Sequence, residues 1–252
     1  MTIDPGWPVA IACLLLLTLT LVTYAVGQLP HPGATAFAAV RAVLQLGLAA
    51  VVIASVVRNL ALSIALLCVM FTIAVVTTVR RIDATKAWPW ATLAMMAGLA
   101  PVVVIILVTR TVPPTGVALI PVVGILAGNT MNGHTLTCRR TFDALREERV
   151  QYEAALSIGL TRAQAVHEVI HRRVPEALIP GLDQVRTAGV VTLPGAFIGV
   201  LLGGGTPAQA AAAQVLVLLG IMAAQTVTAV VAERLIMAAR LLPADLRTTL
   251  QP

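Results

Sequence analysis

The chain carries His167-Glu168-Val169-Ile170-His171, the pattern H-E-x-x-H. On a helix, residues four apart share a face, so this spacing stacks two imidazoles one turn apart with a carboxylate beside them. Two imidazoles suit zinc and the glutamate suits a general base, which makes a membrane zinc metallopeptidase one reading. Such a site needs a third ligand. Glu176 lies too near in sequence to supply it, and Asp183 sits in Gly-Leu-Asp-Gln rather than in a ligand motif. The pattern is therefore read as a coincidence on a polar helix face. His134 and Cys138 are also four apart and could hold a soft metal, but two donors alone make no site, so a metal ligand set stays unknown. Met95-Met96 reads as packing rather than as a relay.

Other polar groups fall inside apolar stretches, where a functional role is the default because lipid burial of polar groups is costly. Arg41 and Gln45 share one face, Asn129 and Asn132 lie together, and Asp183 and Arg186 are three apart. These six are candidates for a translocation path or gate. Helix–helix hydrogen bonding competes for Arg41 and Asn129, and a local ion pair for Asp183 with Arg186. Lys86 is the only lysine and follows no glycine-rich loop, so the chain has no Walker site of its own. Cys13, Cys68 and Cys138 are odd in number and far apart, giving neither a disulfide framework nor a zinc knuckle.

The elements that must position these groups follow from composition. The 252 residues are 58% apolar and 11% charged, against about 45–50% and 25% in soluble domains. This excludes disorder, a nucleic-acid module and an ordinary cytosolic enzyme, and points to lipid as solvent. Hydropathy predicts an all-α polytopic protein of about seven spans, at 8–29, 34–57, 60–79, 90–109, 115–137, 187–202 and 208–232. The sixth is short. With the N-terminus outside and the C-terminus in the cytoplasm, thirteen of the 17 basic residues fall in cytoplasmic segments and only Arg58 and Arg110 outside. The leader holds Asp4 and no basic residue, so the first span is expected to be a retained helix rather than a cleaved signal. The whole chain, 1–252, is read as one transmembrane domain. Gly124 with Gly128, and Pro194 with Gly195 and Gly199, are expected to serve close packing or a hinge.

One long polar stretch, 138–176, interrupts the apolar pattern. A charged helix over 139–152 continues the fifth span, and Gly159 stops it. Thr161 and Gln164 form a capping box for a second, amphipathic helix with Ala163, Val166, Ile170 and Val174 on one stripe. Pro175 is expected to end that helix and Pro180 to mark another break. A helix lying on lipid headgroups would have the same spacing.

Several segments resemble one family. Ile120-Pro121-Val122-Val123-Gly124-Ile125-Leu126-Ala127-Gly128-Asn129-Thr130-Met131 resembles the IP-x-x-G-x-x-AGN-x-M signature of FetB-like iron-export permeases, a family that also takes in plant aluminium-tolerance permeases. Ala155–Thr161 is similar to that family's LSLGAT turn, Arg41–Leu46 to its RA-x-x-QL segment, and Ala177–Pro180, Asp183 and Val190–Gly195 to its ALIP…D…GLVSLPG run. Glu153-Ala154-Ala155, with Gly159 four residues beyond, resembles the EAA signature of an ABC-permease coupling loop. The resemblance implies the membrane subunit of an ABC transporter, exporting metal (iron) ions and coupled to a separate ATPase through Glu153, Ala154, Ala155, Gly159, Thr161 and Gln164. It further implies a homodimer in the bilayer, no nucleic-acid partner, no cofactor on this chain, and Mg-ATP on the ATPase. An ATPase-independent secondary transporter is the other transport reading.

Overall fold

Prolines and hydrogen-bonding caps set most of the helix starts. The computed structural model describes residues 6–250; Asp4, on which the retained first helix was argued, lies outside them. Pro8 opens α1 (Trp7–Val26) and Pro32 begins α2 (Pro32–Val56), where a missing N–H costs nothing. Asn59 caps α3 (Leu60–Arg81) by accepting from the Leu62 N–H at 3.2 Å. After a 3₁₀ turn at Thr85–Ala87 come α4 (Trp88–Val108) and α5 (Gly116–Glu147). Three shorter helices follow, α6 (Arg149–Ser157), α7 (Arg162–Ile170) and α8 (Arg173–Thr187). The chain then forms α9 (Gly195–Leu202), α10 (Pro207–Met237) and α11 (Ala244–Thr249). No β-strand occurs among the described residues.

Six helical segments are long and apolar enough to cross a membrane: α1, α2, α3, Thr85–Val108, α5 and α10. The stretch expected as the sixth span, 187–202, is not one helix. Ala188 is extended, Gly189 has φ +82°, and a bridge joins Ala188 to Thr192 before Pro194 caps α9. At ~1.5 Å per residue, the eight residues of α9 reach only about 12 Å. Pro194 thus precedes a helix start and does not kink a continuous span. Two other breaks also differ from expectation. Pro175 lies in the first turn of α8, where it is tolerated, and Pro180 lies inside α8.

The chain divides into two compact units, Met1–Arg58 and Asn59–Pro252. In the first, α1 packs on α2 and neither helix buries a residue. In the second, α10 runs against α4, α5, α7, α8 and α9. Two apolar clusters line its length. One joins Leu99 and Val102 of α4, Leu126 of α5 and Ile221 of α10. The other joins Phe142 and Leu145 of α5, Tyr152 of α6, Val166 and Ile170 of α7, and Ile236 of α10.

The α4–α10 contact requires a glycine. A Cβ at Gly98 would run into Thr228 Oγ1 and the Ala224 carbonyl oxygen of α10. Gly124 has only Met70 near, at 3.0 Å, and Gly128, Gly195 and Gly199 face open space, so the expected small-residue pairs are not where these helices meet most closely. Gly98→Ala should therefore cost about 1–3 kcal/mol by overpacking, whereas Gly128→Ala should leave stability unchanged or slightly raised. The check is the temperature at which each detergent-solubilised variant loses its monodisperse elution peak.

Candidate functional site

The polar hairpin is pinned at both ends of its turn. Gly159, at φ +93°, closes α6 in a Schellman motif: the Leu160 N–H donates to Ala155 O at 3.1 Å and the Gly159 N–H to Leu156 O at 3.0 Å. Two residues on, Thr161 and Gln164 make the predicted capping box, with the Thr161 N–H donating to Gln164 Oε1 at 2.9 Å. Val166 and Ile170 of the predicted stripe are fully buried, so α7 is fixed to the bundle rather than lying free. The other side of the hairpin is open. Val150 and Ile158 are 78% and 79% exposed. Beside Ile158, a groove of about 760 Å³ is lined by Ala154, Ala155, Leu160, Glu168 and Arg173. Glu153 does not line it and is paired with Arg149 at 2.8 Å.

An ion-pair ladder buttresses the groove. Arg173 donates through Nη2 to Glu148 at 2.7 Å and through Nη1 to Glu176 at 3.3 Å, and Arg140 approaches Glu176 at 3.9 Å. The Glu148 bond, with the field of both carboxylates, raises the pKa of the Arg173 guanidinium above its ordinary value. On the far side, Arg146 donates to Asp245 at 2.8 Å, joining α5 to α11, and that bond lowers the Asp245 carboxyl below the usual range.

Inside the bundle the polar groups pair across helices. The Gln225 side chain of α10 lies against Gly133 of α5 and Gly181 of α8, and its Nε2 donates to Asn129 O at 3.0 Å. Thr78 of α3 bonds His134 Nδ1 at 2.9 Å and Thr135 Oγ1 at 2.7 Å, all three buried. Cys138 Sγ lies 3.8 Å from His134 Nε2, but among the described residues no third His, Cys or carboxylate completes that pair as a metal site.

Most of the candidate path residues make local side-chain bonds, and the Asn132 side chain alone of them bonds another helix, α3. With its amide oriented toward the guanidinium, Gln45 accepts from Arg41 Nε at 3.0 Å. Asn129 Nδ2 donates to Ile125 O at 2.9 Å within its own helix, and Asn132 Oδ1 accepts from Arg81 at 3.4 Å. Asp183 and Arg186 form an exposed pair at 3.5 Å. Reading the sequence missed Gln225, Gly133 and Gly181. It also missed Glu233, whose carboxylate stands beside both His167 and His171. The available signal was that Glu233 is the only acidic residue in α10.

Helices of this length and hydropathy define a multi-pass α-helical membrane protein. A family model matches residues 7–241, and the chain belongs to that family, the uncharacterised protein family UPF0014. It is similar to the UPF0014 membrane protein STAR2 of Oryza sativa subsp. japonica, 31% identical over 140 residues, 56% of this chain and 49% of the relative. Protein ALUMINUM SENSITIVE 3 of Arabidopsis thaliana is likewise 31% identical over 140 residues, 56% of this chain and 51% of its own. The protein of Escherichia coli strain K12 named "Probable iron export permease protein FetB" is 26% identical over 147 residues, 58% of this chain and 57% of its own. The match thus spans about half the length of these relatives. No solved structure matches the chain.

The Gln225 junction separates hydrogen bonding from packing. Gln225→Met keeps the length and loses only the bond to Asn129 O, at about 1 kcal/mol. Gln225→Leu also sets a branched side chain against Gly133 and Gly181 and should cost about 1–3 kcal/mol more. Thermal unfolding of the two variants in one detergent should rank them in that order.

Proposed function

We propose that the chain is the permease subunit of an ABC transporter, working as one domain over its whole length and driven by a separate ATPase. The observation that carries this reading is the hairpin of α6 and α7. Its turn is closed by local backbone and cap hydrogen bonds, its inner face is packed on α5 and α10, and its outer face offers exposed Ile158 beside a groove walled by Ala154 and Ala155. Small residues let a partner's surface approach, and an exposed apolar side chain ringed by charge suits a docking contact. Movement of the hairpin would pass through Tyr152, Val166 and Ile170 into α5 and α10.

The remaining parts of the proposal follow the family. Two copies of the chain sit in the inner membrane, with the hairpin and the arginine-rich segments on the cytoplasmic side. Mg-ATP is bound and hydrolysed on the ATPase. The cargo is a metal ion, iron by analogy with the name of the bacterial relative, moved outward. Peptidase chemistry is not proposed, because Glu168, which would be the general base, lines the groove beside Ile158, whereas neither His167 nor His171 does.

Co-expression with a stand-alone ABC ATPase, followed by purification and iron-transport assays in proteoliposomes, tests the reading. The wild-type chain should retain the ATPase and transport only with ATP. Ile158→Glu, a change on an exposed surface, should lose ATPase retention by about ten-fold or more, as expected for a central apolar contact, with its melting temperature unchanged. Retention and transport unaltered by both Ile158→Glu and Gly159→Val would sink the coupling role, and transport without any ATPase would make the chain a secondary transporter.

A further inference from the structure

We propose that His167, His171 and Glu233 bind a divalent first-row transition cation of the zinc class, which clips α7 to α10. The inference does not rest on the transport reading, since it concerns this chain alone. The two imidazoles lie one turn apart on α7, with ring centroids 4.5 Å apart. Opposite them stands Glu233 of α10, its side chain only 8% exposed. Glu233 Oε1 is 2.9 Å from His171 Nδ1 and 3.4 Å from His167 Nδ1, and the three donor atoms lie within 4.8 Å of one another. Tetrahedral ligands at ~2.0–2.2 Å from a zinc ion sit roughly 3.3–3.5 Å apart, so small shifts admit the ion.

The satisfaction of these atoms favours a cation over a hydrogen bond. Among the described residues no Arg or Lys pairs with Glu233, and the two imidazoles are its only ionic neighbours. A buried carboxylate without a cationic partner is costly. If the His171 N–H donates to Glu233, that bond satisfies one imidazole and leaves the other without a partner: His167 Nδ1 is buried and makes no hydrogen bond although it faces the carboxylate. A divalent ion accepts both nitrogen lone pairs and neutralises the carboxylate together. His171, 63% exposed, leaves an open side through which the ion enters and where water completes the coordination. Two nitrogens and one oxygen suit Zn²⁺ or Co²⁺ rather than Mg²⁺ or Ca²⁺, which prefer all-oxygen shells.

Glu168, between the histidines in sequence, lines the groove on the α6 side and does not join the cluster. The two histidines of H-E-x-x-H are the ligands here, and Glu168 faces the groove instead. The site therefore acts as a clip between the hairpin and the last long helix.

The test uses the purified full-length chain, stripped with a chelator and then titrated with Zn²⁺ by calorimetry and with Co²⁺ by visible absorption. One equivalent should bind, Co²⁺ should show the intense d–d bands of a tetrahedral site, and Zn²⁺ should raise the melting temperature. His171→Ala should weaken binding by about ten-fold or more, since even supporting groups of a metal site are worth that much, and should lose the rise in melting temperature that Zn²⁺ gives the wild type. Glu233→Gln should do the same to binding, and Glu168→Gln should bind as the wild type does. The absence of stoichiometric binding by the wild type, or wild-type affinity in both His171→Ala and Glu233→Gln, overturns the proposal.

Discussion

The backbone of α10 comes close to its neighbours because glycines on those neighbours give it room. Gly98 on α4 leaves space for the Ala224 carbonyl and Thr228, and Gly133 and Gly181 leave space for Gln225. In lipid there is little hydrophobic gain from pressing apolar helices together, so close approach and dispersion contact have to supply the cohesion. The two larger apolar clusters of the second unit include α10 residues, Ile221 in one and Ile236 in the other. Removing the close approach at Gly98 would part α10 from α4 along the line that both clusters share.

The polar side chains follow from the same scarcity of water. Many threonines bond back to the carbonyl four residues earlier, as Thr72, Thr130 and Thr226 do, which satisfies the hydroxyl within its own helix. Only a few polar groups reach another helix. Thr78 with His134 joins α3 to α5, and Gln225 joins α10 to α5 beside α8. Each such bond fixes rotation and register, because sliding either helix leaves a buried donor or acceptor unpaired. The hairpin obeys a different rule. Its turn is held by local backbone and cap bonds, and burial of Val166 and Ile170 sets its position on the bundle.

Much of the hairpin was legible because its signals are local. Gly159 stops a helix through its own φ, and Thr161 with Gln164 start the next one across three residues. Burial of Val166 and Ile170 followed from helical period, whereas Ala163 is only half-buried and Val174 lies in the first turn of the next helix, α8. The apolar helices were legible for the same reason, apart from 187–202. There a hydropathy average ran over Gly189 and Pro194, residues that on their own terms signal a break. Gly124 and Gly128 are spaced for packing, and the closest helix approaches within the chain fall instead at Gly98, Gly133 and Gly181. Spacing within one helix does not say which face a partner meets.

The sequence by itself determined helix type, most helix starts and the turn of the polar hairpin, since each depends on contacts within about four residues or on transfer into lipid. The pairing of groups distant in the chain was decided only by the tertiary structure. Glu233 stands 62 residues beyond His171, and nothing in the spacing of H-E-x-x-H points to it. Gln225 and Asn129 are 96 residues apart. Such partners are selected by how α10 crosses α5, α7 and α8. That crossing depends on which side-chain volumes are absent at the contact, and this is a property of two surfaces at once.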